Sequence, residues 1–364
     1  MAKDGPNWDG LLKWSLSHAD GTQPTRQLRQ IKSNSEEDRK WFMEAMQSQT
    51  VDVVKRMKEI TLVMQTPEHV LVDHGVTPQD IEDLLDELQE HVESIDMAND
   101  LHSIGGLIPL LGFLKNSHAN IRAKAADVVR TIVQNNPRSQ ELVMEANGLE
   151  SLLSNFTSDA DVHVQTQALG AISSLIRHNK AGVTAFKLDN GYAGLRDALA
   201  SDSVRFQRKA LNFLQYLLQE DISDRSVATG LGFATVLIHL ASSDDAETRE
   251  AALGVLLELA REKNDGRGCS SVELRQLLEE RIEGISSMSH EDLETVKEER
   301  QLVDALWSVC YNEPSSLGEK GLLVLPGEDA LPPDVASKLL EPLLRASAAN
   351  GSATEKKEEP VKLL

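Results

Sequence analysis

Aromatic side chains make up only 4% of this 364-residue chain, and it has just two cysteines, Cys269 and Cys310. Two cysteines cannot build a disulfide framework, and they suit a reducing compartment. Basic residues are in deficit: 37 lysines and arginines stand against 58 aspartates and glutamates, a formal charge of −21. A chain with that balance is poorly suited to coat a phosphate backbone or an anionic membrane surface, so neither nucleic acid nor membrane is expected as a partner. No apolar run is long enough to span a bilayer. The opening Met-Ala-Lys-Asp-Gly-Pro-Asn-Trp has no apolar h-region, so no secretory leader is expected. The ending Pro360-Val361-Lys362-Leu363-Leu364 is neither a retention signal nor a lipidation box.

Signatures of catalysis are missing as well. There is no phosphate-binding loop, and Gly230-Leu231-Gly232 lacks the rest of a dinucleotide fingerprint. His290-Glu291 is not followed by the second histidine of a zinc protease, and the ten histidines show no metal-ligand spacing with the cysteines. Paired carboxylates such as Asp244-Asp245 fall in turns, where they read as helix caps. Asn155-Phe156-Thr157 is a glycosylation sequon, expected to be unused without a leader. The expectation is a protein with no enzymatic activity, cofactor or metal.

What the sequence does contain is repetition. A glycine turn beside an apolar residue recurs every 41–43 residues, at Gly105-Gly106-Leu107, Asn147-Gly148-Leu149, Asn190-Gly191-Tyr192 and Leu231-Gly232-Phe233. Ala126, Ala168, Ala210 and Ala252 keep the same period from inside each unit. Two landmarks holding a period near 42 match the armadillo and HEAT class, with two or three helices per unit. Each unit reads as a glycine turn, a short apolar helix such as Leu107-Ile108-Pro109-Leu110-Leu111, a polar turn, and a longer helix. In the second unit Ala168, Ile172, Leu175 and Ile176 recur at helical spacing on that long helix, expected from about 162 to 178. One unit cannot bury its apolar face alone, so the units must stack. The predicted fold is an all-α, armadillo/HEAT-like right-handed α-solenoid of about four repeats with helical caps at both ends, its long helices lining a concave side.

The flanks carry helix signals too. Ser35-Glu36-Glu37-Asp38 reads as a cap and acidic first turn of a helix reaching about Met64, and Thr77-Pro78-Gln79-Asp80 as a second start with Leu84, Leu85 and Leu88 on its apolar stripe. Ser289-His290-Glu291-Asp292 opens a helix expected to reach Trp307 and Cys310. The organisation that follows is a flexible N-terminal segment at 1–34, capping helices at 35–104, repeats at 105–263, C-terminal capping helices at 264–311, and a largely disordered tail at 312–364 that includes the charged Glu355-Lys356-Lys357-Glu358-Glu359 run.

Against the acidic background, Arg122, Lys124 and Arg130 cluster on the first long helix and Arg205, Arg208 and Lys209 on the third. Basic clusters on helix faces are ordinarily solvated; grouped on long helices, they also suggest a groove for an acidic partner surface. Superposing repeats on the alanine anchor aligns Ser174, Tyr216 and Glu258 on one apolar-poor line, read as facing the concavity beside Arg177 and Asn212.

Several stretches resemble the armadillo-type nucleotide exchange factors of the heat-shock protein 70 chaperones, the Fes, Hsp-binding-protein and Sil family. They are Leu11-Leu12-Lys13-Trp14-Ser15-Leu16, Ile95-Asp96-Met97-Ala98-Asn99-Asp100, Val133-Gln134-Asn135-Asn136 with Ser139-Gln140, Ala171-Ile172-Ser173-Ser174-Leu175-Ile176-Arg177, and Phe186-Lys187-Leu188-Asp189-Asn190-Gly191. The resemblance runs from about Trp8 to Cys310, and without a leader it points to a cytosolic member, with the nucleus as a second compartment. It implies a co-chaperone that grips the chaperone's nucleotide-binding domain, promotes ADP release and aids client release. The chaperone-facing residues it suggests, with those on the groove line, are Ala98, Asn99, Lys124, Asn135, Ser174, Arg177, Arg208, Lys209, Asn212, Tyr216 and Glu258. It also implies that Trp8, Leu11, Leu12, Trp14 and Leu16 act as a client-release strip that enters the chaperone's peptide groove. The competing reading is an armadillo adaptor for extended peptides. Such adaptors carry ladders of concave Trp and Asn, and here Gly170, Asn212 and Gly254 occupy the corresponding positions and break the ladder.

Overall fold

The computed structural model describes residues 53–261 and 271–325, and the Trp8–Leu16 strip and the Ser35 start lie outside them. All regular structure among the described residues is helical. None of these helices is long and apolar enough to cross a membrane. They fall into two compact units, divided between Ala146 and Asn147.

The first unit contains α1 (53–65), α2 (Glu68–Asp73), α3 (Pro78–His91), α4 (Ile95–Ser103), α5 (Leu107–Phe113), α6 (Ala119–Val133) and α7 (Pro137–Glu145). The Thr77–Asp80 signal forms a reciprocal capping box: the Asp80 amide donates to Thr77 Oγ1 and the Thr77 amide to Asp80 Oδ2. The Thr77 hydroxyl and amide together hold the Asp80 carboxyl below its usual range. From that start α3 packs along α6, burying Ile81, Leu85 and Leu88.

The second unit contains α8 (Gly148–Ser158), α9 (Val162–Ile176), α10 (Lys180–Leu188), α11 (Gly191–Leu199), α12 (Val204–Glu220), α13 (Asp224–Gly230), α14 (Phe233–Leu240), α15 (Ala246–Ala260), α16 (Val272–Ser286), α17 (His290–Thr295), α18 (Lys297–Tyr311) and α19 (Ser316–Glu319). Its long helices form a row in which α9 packs on α12, α12 on α15 and α15 on α18. The four anchor alanines are fully buried, and as the smallest chiral side chains they let helices approach closely. The repeated unit is that of an armadillo-like α-solenoid.

Four features depart from the pattern expected of the sequence. First, the repeats take the three-helix form of the armadillo and HEAT class: besides the short and the long helix read in each unit they contain a third, seen as α7, α10 and α13. Asn136 caps α7 through the Ser139 amide, and Asn179 caps α10 through the Gly182 amide. Second, the left-handed residue at each repeat turn is Gly105, Asn147, Asn190 or Gly232, with φ of 82°, 57°, 59° and 77°. Gly148 and Gly191 follow it, already inside their helices. The turn in the fourth repeat is therefore shifted by one residue, and Phe233 stands where the second and third have their glycine.

Third, the C-terminal boundary expected at 311 lies further on. The Ser315 hydroxyl and amide both donate to Asp304 Oδ1, Leu317 is fully buried, and the buried Arg300 guanidinium donates to the Leu322 carbonyl. Residues 312–325 thus pack against α16 and α18 through α19. Fourth, the helix expected to run from Ser289 to Cys310 is interrupted at Val296, whose φ of −108° and ψ of 28° separate α17 from α18.

Candidate functional site

The row of long helices in the second unit presents a hollow of about 370 Å³. Arg208, Asn212 and Gln215 enter from α12, Glu247, Glu250, Ala251 and Gly254 from α15, and Glu298, Gln301 and Leu302 from α18. These positions recur three and four residues apart, so each helix turns one face to the hollow. Gly254 keeps it open, since a Cβ there would lie 3.3 Å from the Gln215 amide nitrogen.

Arg208 and Lys209 are neighbours in sequence but brace opposite sides of α12. The Arg208 Nε donates to Asp245 Oδ2 at 2.9 Å, and its guanidinium also pairs with Glu247 on α15. Lys209 Nζ donates to the Thr166 carbonyl and to Gln167 Oε1 of α9, each at 3.2 Å. Asp245 also caps α15 by accepting from the Thr248 amide at 2.9 Å. Arg208, assisted by Thr248, holds the Asp245 carboxyl well below the usual carboxylate range. Asn212, one turn beyond Arg208, is exposed at the hollow.

The line through Ser174, Tyr216 and Glu258 does not open outward. Tyr216 is only 9% exposed. Its hydroxyl accepts from the His178 amide at 2.9 Å, and the Arg177 guanidinium lies 4.3 Å from its ring centroid. Arg177 itself is exposed, and Ser174 is half-buried on α9. Glu258 is 5% exposed and accepts from Arg225 and Arg261, each at 2.8 Å, so its charge is matched inside the unit. Tyr216 and Glu258 are therefore internal braces rather than groove contacts, because side chains from adjoining helices cover the side they share.

The residues identified in the first unit separate in the same way. Ala98 is 3% exposed on α4 and packs inside the unit, so it offers a partner no surface. Asn99 Oδ1 accepts from Asn136 Nδ2 and Ser139 Oγ, both at 3.2 Å, tying α4 to the start of α7. Lys124 pairs with Asp86 across α6 and α3. Asn135 is exposed, with a left-handed φ of 53° in the turn between α6 and α7. Of the remaining basic residues, Arg122 donates to the Asn116 and Ser117 carbonyls, Arg130 pairs with Asp127, and Arg205 is exposed.

Sequence reasoning missed the acidic wall of the hollow. Burial raises the Glu250 carboxyl above its usual range, with Glu298 and Glu299 reinforcing the effect and Arg249 opposing it. The available signal was the spacing of Glu247 with Glu250 and of Glu298 with Gln301, three residues apart on each helix. The buried Glu299 was also unforeseen: it accepts from Arg249 Nε at 3.0 Å and Arg281 Nε at 2.6 Å, joining α15, α16 and α18.

Residues 8–101 match the family described as nucleotide exchange factor Fes1, and residues 97–229 match the SIL1/FES1/HPBP1 C-terminal domain. The chain is 28% identical over 319 residues to Hsp70-binding protein 1 of Homo sapiens, covering 85% of this chain and 86% of that protein. It is 31% identical over 166 residues to the Hsp70 nucleotide exchange factor fes1 of Schizosaccharomyces pombe, covering 45% of this chain and 58% of that one. Among solved structures, a designed armadillo repeat protein superposes with a TM-score of 0.54 at 16% identity, covering 70% of this chain and 99% of the design, a likeness of fold alone.

Proposed function

Because the chain belongs to the family of nucleotide exchange factor Fes1 and the SIL1/FES1/HPBP1 proteins, we propose that it is a co-chaperone that grips the nucleotide-binding domain of a cytosolic heat-shock protein 70 and promotes ADP release. The observation that carries this reading is the pair of overlapping family matches, which together run from residue 8 to residue 229. The factor binds the opened form of the chaperone more tightly than the ADP-bound form. By linkage it weakens ADP by the same factor by which ADP weakens it. ATP then enters, and the chaperone supplies all the nucleotide chemistry.

In the second unit the contact surface is the exposed face of the long helices, with Asn212 at its centre and Arg177, Arg208 and Lys209 around it. In the first unit Lys124 and Asn135 are contacts in their own right. The Trp8–Leu16 strip enters the chaperone's peptide groove and blocks rebinding of the client.

Stopped-flow release of labelled ADP from the purified chaperone tests the proposal. The wild-type chain accelerates release and hydrolyses no ATP. Asn212→Arg loses most of the acceleration with an unchanged thermal midpoint, because the side chain is exposed and its replacement disturbs no packing. An ADP off-rate that does not respond to saturating wild-type protein overturns the exchange reading.

A further inference from the structure

The first unit carries a hollow of about 500 Å³ whose lining has no charged residue. Met64 and Pro67, at and just beyond the end of α1, form one side, and Ile108, Pro109 and Phe113 of α5 form the other. Gly112 leaves room at the edge, since nothing lies within 4 Å of a Cβ built there. The Gln65 side-chain amide donates to the Gly105 carbonyl at 3.4 Å and joins the two sides. Ile108 is 62% exposed, and Leu62, one helical turn before the lining residue Thr66, is 65% exposed. In a chain of charge −21, an uncharged apolar hollow of this size is the kind of surface that water leaves poorly satisfied.

We propose that this hollow is the seat of the chain's own Leu11-Leu12-Lys13-Trp14-Ser15-Leu16 strip. The strip supplies three leucines and an indole, has no acidic residue, and carries a single charge at Lys13. The chain outside the described residues also contains Leu339-Leu340-Glu341-Pro342-Leu343-Leu344, which interrupts its leucines with an acid and a proline and lacks an aromatic ring. The leucine-tryptophan strip is joined by residues 17–52 to α1, whose far end forms one side of the hollow. That connection can span on the order of 100 Å when extended. The length of α1 to be traversed is about 20 Å. Attachment to the same chain raises the strip's effective concentration at the hollow, so a modest intrinsic affinity suffices. Occupancy covers the strip in the free protein, and a chaperone's peptide groove then has to compete with this seat. This goes beyond the exchange reading and does not depend on it.

The test uses the full chain alone, without chaperone. A photoreactive benzophenone amino acid is placed at position 108, the protein is irradiated, and the adducts are mapped by peptide mass. The seat predicts adducts within residues 8–16 of the same chain, in a yield that does not change with protein concentration. Adducts at 339–344 or elsewhere, adducts found only in cross-linked dimers, or no adduct at all overturn it. In a second experiment, Ile108→Asp alters an exposed side chain and is expected to keep its circular dichroism while cleavage within residues 1–34 by a broad-specificity protease becomes several-fold faster. Cleavage at the wild-type rate overturns the proposal by an independent route.

Discussion

Tyr216 shows how much a single side chain can brace. Its hydroxyl takes up the His178 amide, a left-handed residue with φ of 59°, while its ring lies beneath Arg177 and parallel to Phe213 with centroids 6.4 Å apart. Tyr216→Phe keeps the ring contacts and leaves the part-buried His178 amide without its acceptor, an expected cost of about 1 kcal/mol. Urea denaturation measures that cost, and the folded variant is expected to accelerate ADP release as the wild type does. A loss of exchange at full folding would instead return Tyr216 to the contact surface. Glu250 gives a prediction that depends on pH. Its raised carboxyl means that the folded state resists ionisation more than the unfolded state does. The penalty is therefore present at neutral pH and vanishes once pH falls below the unfolded value, about 4.3. Glu250→Gln is expected to raise the thermal midpoint at pH 7, with the gain closing below about pH 4. A gain that persists in acid would point to packing rather than charge.

At the scale of the element, the repeat turn combines two separate demands. One residue must be left-handed, a role Asn fills at 147 and 190 and Gly at 105 and 232. The next residue must be small where a neighbouring helix crowds it. A Cβ on Gly191 would fall 2.4 Å from carbons of the Phe186 ring, which is itself fixed against Phe213 at 5.3 Å. Gly191→Ala is therefore expected to cost about 1–3 kcal/mol through overpacking. Gly284→Ala, with nothing within 4 Å inside α16, is expected to stabilise by about 0.5–1 kcal/mol. Equal effects in chemical denaturation would show that close packing does not select the turn glycine. The long helices and the Thr77 cap were legible beforehand because apolar period and cap chemistry are local. The third helices were not, since α10 buries only Gly182 and Phe186, and α7 only Ser139, Gln140 and Val143. So few buried positions cannot register as a period. The Ser174–Tyr216–Glu258 line was misjudged for a different reason. The alanine register gives the angle at which a side chain leaves its helix, but not that Arg177 and Arg225, from neighbouring helices, close over Tyr216 and Glu258. For the same reason the basic clusters on α6 and α12 are largely engaged within the fold: Lys124 braces α3, Arg208 braces α15 and Lys209 braces α9.

For the whole molecule, the proposed activity divides between the helical array and the strip near the N-terminus. The contact surface proposed for exchange lies on helices that begin at residue 53 or later. Deleting residues 1–34 removes none of these helices, and the deletion variant is expected to accelerate labelled-ADP release almost as the full chain does. Client release is expected to slow. Once nucleotide has exchanged, a client that leaves the chaperone's groove can rebind, unless a tethered competitor occupies the groove first. The Leu11-Leu12-Lys13-Trp14 strip is apolar enough for that role, and tethering through the bound factor keeps it at high effective concentration beside the groove. The two functions separate only when both readouts are followed on the same variant: labelled-ADP release and displacement of a fluorescent client. Client displacement as fast as in the full chain would remove the strip from release. Collapse of ADP release as well would place residues 1–34 in the grip itself. Slowed displacement with exchange intact is the expected result, and the strip supplied in trans as a free peptide should then restore displacement only at concentrations far above that of the protein, because it lacks the tether.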